Sequence, residues 1–391
     1  MHQLNDLLKN KKYNLFLQFA LLIIVIFNIT TVLYPHREKY LSHNYWQRYE
    51  SLKKTYYDSQ YANKHPKGWV PDEVVLSFAG GALIKGENPV LIIADSPPLS
   101  KYLIGLSALI FDNENIVTVF FGILSLVFLY LLSLQIFKNR LLSLVPLAFL
   151  SFEPIFKNQF VYSPLLDIMQ MAFMLGSFYF FNKGFSSKKS WLFYFLANIF
   201  LGMFISTKFF ITGGVIAGAY LFILLIHRDK RRLFEMILTL PFSVAVLLLS
   251  YIRVLYFGYS LKDMIGIQKW IFLYHKSQLI LPFTIWPLLF INKWYIWWGD
   301  KRIITSVEWN IMWPIITAGF LITLLLYLLK KIPRKKEFEI TIVWATFYLM
   351  FFSMGQISPR YLIILLPIFY IITIYGVVGI YQNKYVKKKS K

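Results

Sequence analysis

The 391-residue sequence contains no cysteine, which excludes disulfide staples and thiolate metal sites and leaves the redox compartment unmarked. Acidic residues are scarce: 19 Asp and Glu stand against 41 Lys and Arg, a formal net charge of +22 at pH 7. Charged residues of both signs make up only 15% of the chain, whereas an ordinary soluble domain carries about 25%. In their place the chain is 57% hydrophobic and 19% aromatic. Several intervals approach the roughly twenty charge-free residues a helix needs to cross a hydrocarbon core about 30 Å thick. The composition predicts an all-α polytopic membrane protein. The first apolar stretch, 13–35, is too long for a signal-peptide core and lacks a small-residue cleavage site, so it is expected to remain as an anchor.

Charge-poor intervals mark about ten candidate spans, at 13–34, 115–137, 141–156, 166–181, 190–207, 209–227, 232–256, 309–329, 340–357 and 361–382. One orientation places the short basic loops on a single side. With both termini inside, Lys9/Lys11/Lys12, Lys138/Arg140, Lys183/Lys188/Lys189, Arg228 to Arg232, Lys330 to Lys336 and the tail 384–391 are all cytoplasmic. The positive charge is therefore topological, and no nucleic-acid partner is expected. The same orientation puts two long loops outside, 35–114 and 257–308. Within the first, 71–86 and 96–111 are apolar but short and read as interfacial helices. A span at 96–111 would reverse every later loop and expel the basic clusters. The whole chain, 1–391, is read as a single membrane domain, with 384–391 as a basic cytoplasmic tail.

The few acids gather at the outer ends of these segments. Asp72 and Glu73 open one interfacial helix, Asp95 precedes the other, Glu153 closes a span and Asp167 opens the next. Lys101, Lys208, Arg253 and Arg360 lie at the same level, where cations can meet a phosphate. Simpler roles exist for each: Asp72 and Asp95 can cap helices, and Lys208 and Arg360 can snorkel to headgroups. His43 and His65 have no close ligand spacing, so no metal site is expected. Trp286 begins a tryptophan-rich run ending at Trp298, either an interfacial belt or part of a groove.

These residues also carry a family resemblance. PDEVVLSFAGGALIKGENPVLIIADSPPLSKYLIGL, residues 71–106, resembles the first outer loop of the protein O-mannosyltransferases, GT-C glycosyltransferases. There an Asp-Glu pair precedes an Asp-His-Pro-Pro-Leu-Gly-Lys element. Asp72 and Glu73 match the pair; Asp95, Pro97, Pro98, Leu99 and Lys101 match the element, with Ser96 and Ser100 replacing His and Gly. Glu153-Pro154 and Asp167 resemble the next segment, although Tyr162 stands where the family often has Arg. GMFISTKFF supplies Lys208, WPLLFINKWYIWW resembles the Trp-Pro-Leu loop, and PRYLIILLP, with Arg360, is similar to a final-span element of the wider superfamily. The run Trp297-Trp298-Gly299-Asp300 resembles an oligosaccharyltransferase element only superficially, since the order differs and its Tyr is missing. The family's large later outer domain has no counterpart within 257–308, which suggests a minimal prokaryotic form in a plasma membrane.

The resemblance implies a GT-C bundle and an inverting transfer of a sugar, mannose by family, from a polyprenyl-phosphate donor to a protein Ser or Thr hydroxyl on the outer face. It implies Asp72 as base, Glu73 as its orienting partner, and Lys101, Lys208 and Arg360 at the donor phosphate. Asp95, Pro97, Pro98, Glu153, Tyr162, Asp167 and Trp286 would position substrate or loop. No cofactor is required, and the acid spacings do not call for a divalent cation. Membrane lipids are partners; an oligomer is not specified. Two other readings fit the sequence: the same chemistry on a glycolipid or cell-wall glycan, and a polyprenyl-sugar transporter. Transporters place ionisable groups near the midplane, whereas these lie at one face.

Overall fold

The computed structural model describes residues 11–208, 210–277, 281–296, 302–355 and 357–389. The described chain is almost wholly helical. In order come α1 (Lys11–Leu33), α2 (Arg37–Leu41), α3 (Tyr45–Tyr57), α4 (Asp72–Ile84), α5 (Leu99–Phe111), α6 (Ile116–Phe137), α7 (Arg140–Phe152) and α8 (Pro154–Val161). Then follow α9 (Asp167–Ser186), α10 (Ser190–Ile205), α11 (Ile211–Ile226), α12 (Lys230–Thr239), α13 (Pro241–Ser250), a 3-10 turn at Ile252–Phe257, α14 (Leu261–Ser277) and α15 (Ile285–Ile291). A two-residue antiparallel pair, β1 (Trp294–Tyr295) and β2 (Ile303–Ile304), precedes α16 (Met312–Leu328), α17 (Lys336–Ser353), a 3-10 turn at Pro359–Ile364 and α18 (Leu366–Lys389).

Among the described residues each expected span contains a helix, but fewer helices qualify as spans by length and composition. Lys11–Leu33, Ile116–Phe137, Lys230–Ser250 and Leu366–Asn383 do, and the pair α7 and α8, bent by 61°, makes a possible fifth. The reason is length: α10 and α11 have 16 residues each, reaching about 24 Å at about 1.5 Å per residue. The apolar helices make this an integral membrane protein.

The described residues form two compact units. One gathers 11–35, 126–157 and 283–389. In it α1 packs on α7, where the buried Asn28 amide donates to Ser151 Oγ at 2.9 Å. Its other face, Phe16, Ile23, Ile26 and Phe27, is exposed as a lipid-facing stripe would be. Helices α16 and α18 approach closely because a Cβ on Gly319 would lie 2.5 Å from Thr373 and one on Gly376 2.0 Å from Thr323.

The other unit comprises 36–125 and 158–282. Helices α9 and α10 form its tightest pair, joined by Ser177 Oγ to Ala197 O at 2.8 Å. Helix α4 is buried from Val75 to Leu83, so its apolar character serves the protein interior, as expected of a helix hydrophobic on all sides. It crosses α5 where a Cβ on Gly105 would fall 2.2 Å from Gly80 O. Helix α5 leaves Leu106, Leu109, Ile110 and Phe111 exposed, and its 13 residues reach about 20 Å, too short to span. Of the two it is the one that keeps an apolar face exposed.

Candidate active site

The site is built on the first turn of α4. Pro71 holds extended backbone (φ −69°, ψ 155°) immediately before Asp72 and Glu73. Proline cannot continue a hydrogen-bonded turn, and the free N–H groups that follow favour carboxylates. Consecutive helix positions diverge by roughly 100°, so the two acids face different surroundings. Asp72 Oδ1 accepts from the Tyr61 hydroxyl at 2.6 Å, while Glu73 lines a cleft of about 500 Å³.

The cleft is walled by α2, α3, α4 and the residues that lead into α6. Its buried carboxylate is Glu114, 3% exposed. Both Glu114 oxygens accept from Arg48 Nη2 at 3.1 Å, and Oε1 also accepts from Ser77 Oγ at 2.8 Å. Ser77 lies one turn along α4 from Glu73, so this carboxylate ties the acid-bearing helix to its neighbours. Tyr45 reinforces the tie, donating to Ser77 O at 2.8 Å; a Cβ on the adjacent Gly81 would collide with that hydroxyl at 2.1 Å. Lys39 Nζ donates to Val161 O at 3.1 Å. Burial lowers the Lys39 pKa, opposed by the carboxylates of Glu73 and Glu114, with Arg48 adding to the lowering.

The second acidic element lies in the same unit. Pro97 and Pro98 are buried and Asp95 is half-buried. Leu99 N donates to Ser206 O at 3.1 Å, which sets this loop beside the turn carrying Lys208. That ammonium is paired with Asp167, the first residue of α9; the side chains are 19% and 3% exposed. Lys101, expected to face a phosphate, is instead fully buried. Its ammonium donates to the carbonyls of Ile92 (3.3 Å), Ile93 and Ser96 (2.8 Å), clamping the loop from within. Arg253 donates to Leu83 O at the carboxyl end of α4, where a cation suits the helix dipole. Tyr162 is 49% exposed just beyond α8.

Three expected residues belong to the other unit. Glu153 is 2% exposed and accepts from Trp313 Nε1 (3.0 Å), Asn310 Nδ2 (2.8 Å) and the Tyr370 hydroxyl, a saturated anchor between α7 and α8. Trp286 Nε1 donates to Ser353 Oγ at 3.0 Å. Arg360 is half-buried in the turn before α18. Trp297 to Asp300 lie outside the described residues. Among the described residues no three His, Asp or Glu side chains gather as metal ligands. Sequence reasoning missed Lys39, Arg48 and Glu114; the one available signal was a rare acid, Glu114, at the mouth of an apolar span.

Residues 95–257 match the family model described as dolichyl-phosphate-mannose-protein mannosyltransferase. Among solved structures, ArnT from Cupriavidus metallidurans in the apo state is similar with a TM-score of 0.56 and 16% identity, over 79% of this chain and 55% of that one. The fold is that of the GT-C membrane glycosyltransferases. The same GT-C protein bound to undecaprenyl phosphate matches with a TM-score of 0.56 and 17% identity, over 79% of this chain and 56% of that one. The chain thus spans about half the length of these GT-C relatives. AglB from Archaeoglobus fulgidus, in complex with an inhibitory peptide and a dolichol-phosphate, aligns with a TM-score of 0.48 and 13% identity, over 75% of this chain and 43% of that one. No curated protein matches the sequence directly.

Proposed function

We propose that this chain is an inverting glycosyltransferase that moves mannose from a polyprenyl-phosphate donor to a Ser or Thr hydroxyl of a protein, on the outer face of a prokaryotic plasma membrane. The observation that carries the reading is the Asp72-Glu73 pair on the first turn of α4, in one unit with the Asp95 loop and Lys208. The family description over 95–257 supports the mannosyl donor and protein acceptor, and the undecaprenyl phosphate bound by ArnT supports a polyprenyl carrier.

In this mechanism the acceptor oxygen attacks the anomeric carbon as the carbon–oxygen bond to phosphate breaks. Asp72 takes the hydroxyl proton, and polyprenyl phosphate leaves with the bonding electrons. A phosphodiester needs no strong acid to leave; it needs positive charge where its own negative charge grows. Lys208 is the candidate in this unit, released from Asp167 toward the phosphate when donor binds. Lys101 acts through the loop that it clamps. Tyr61 orients Asp72, and Glu73 meets the acceptor side.

The test is transfer by the purified protein from polyprenyl-phosphate mannose to a Ser/Thr-rich peptide, with Asp72→Asn alongside. Loss of transfer with donor binding retained is expected. Full turnover by Asp72→Asn would remove Asp72 as the base, and label found in lipid rather than peptide would replace the protein acceptor by a glycolipid.

A further inference from the structure

The cleft beside Glu73 has a charge pattern that runs against the rest of the molecule. Of its carboxylates, Glu114 is neutralised by Arg48. The cation Lys39 is half-buried and turned to the carbonyl of Val161. That leaves Glu38, exposed, and Glu73, half-buried, and among the described residues neither carboxylate makes a hydrogen bond or ion pair. Both line the same cavity of about 500 Å³, a size within the range of roughly 300–1,000 Å³ typical of ligand sites. Glu73 shares its charge with Lys39 across the cleft. A chain with a net charge of +22 thus presents a cleft in which three carboxylates, Glu38, Glu73 and Glu114, face two cations, Lys39 and Arg48, and the balance is anionic. Charges in a concave wall act together on whatever enters and discriminate partners by sign.

We propose that this cleft receives the acceptor and selects a cationic segment, a Lys or Arg beside the hydroxyl that is modified. The inference rests on the protein-acceptor reading above. The two carboxylates differ in their tasks. Glu73 adjoins Asp72 in sequence and receives the residue next to the hydroxyl. Glu38, on α2, stands at the exposed rim and meets a charge further along the peptide. An acidic acceptor would set like charges together, which costs affinity without any change in the chemistry at Asp72.

The experiment uses the full chain in detergent with polyprenyl-phosphate mannose and three peptides that differ only in the residues flanking one Thr: Lys, Gln or Glu. The expected order of kcat/KM is Lys, then Gln, then Glu, with about tenfold between the extremes at low salt, shrinking as screening lengths shorten in about 0.5 M salt. Glu38→Gln should compress that ratio and Glu38→Lys should invert the contribution of the rim. Equal rates for all three peptides in the unmodified protein would overturn the inference and leave the protein-acceptor reading intact. A ratio unmoved by either substitution would overturn the part assigned to Glu38. Transfer to none of the peptides, with label in lipid, would overturn the underlying reading and the inference with it.

Discussion

Replacing Lys101 by Met separates two roles that the sequence alone assigns to the same side chain. In the structure the ammonium is fully buried and spends its protons on three backbone carbonyls. Met fills the volume but leaves those carbonyls without a donor, at about 1 kcal/mol or more each. Against this, burial lowers the Lys101 pKa from 10.5 to about 8, with Asp95 pulling the other way. Keeping the buried charge at neutral pH therefore costs on the order of 3 kcal/mol. The two contributions nearly cancel at pH 7, so Lys101→Met is expected to melt close to the parent there. They part company at higher pH. The unfolded chain holds this proton more tightly, so the parent gains stability as pH rises from about 8 toward 10.5 and loses it as pH falls through 8. The variant lacks that slope. Melting of both proteins in detergent across this window, beside steady-state transfer at pH 7.5, gives the readout. A loosened 92–98 loop should lower kcat with little change in donor KM. A donor KM raised more than about tenfold, with parallel melting curves at all pH values, would refute the clamp and make Lys101 a phosphate contact.

Other residues make separate predictions. Tyr61→Phe removes the 2.6 Å bond to Asp72 and should lower kcat by about three- to tenfold with donor KM unchanged, measured as initial transfer rates. Glu153→Ala strands the Trp313, Asn310 and Tyr370 donors and should cost about 3–5 kcal/mol, seen as loss of folded yield; Glu153→Gln should recover part of it. Lys208→Met leaves Asp167, 3% exposed, without its cation and should destabilise by about 2–4 kcal/mol. Adding Asp167→Asn should restore melting but not transfer, the signature of a cation needed for chemistry as well as for packing.

The helical segments were legible because each interval without charge had to find an apolar environment, and helix is the form that satisfies its own backbone there. The breaks within those intervals were harder to see. The 232–256 interval divides at Pro241, and the 361–382 interval begins as a 3-10 turn after Pro359; a proline marks such a point without saying whether the chain bends, starts afresh or merely loses one bond. Interfacial placement was read from apolarity and length, and α5 does leave Leu109 and Phe111 exposed. The same two properties describe α4, yet nine of its residues are buried inside the protein. Lipid and protein interior are equally apolar solvents, and composition does not distinguish them.

The site shows the same division between what residue type reveals and what only packing can. Asp72, Glu73 and Lys208 stood out because charge at a membrane boundary is costly and needs a reason. Arg48 and Glu114 make their pair across 66 positions, with no periodicity to join them. Lys101 was visible as a cation, but its partners are carbonyls, which every residue carries, so no side-chain pattern could announce that the ammonium turns inward. This bears on how the donor phosphate would be held. If Lys101 spends its protons on the 92–96 turn, it fixes the shape of a loop that Leu99 ties to the turn bearing Lys208. The loop then sets where Lys208 stands, and Asp167 holds that cation ready at the base of α9. A buried clamp and an exchangeable pair are better suited to a phosphate that arrives, gains charge and leaves than two cations exposed together, which would repel each other whenever the donor was absent.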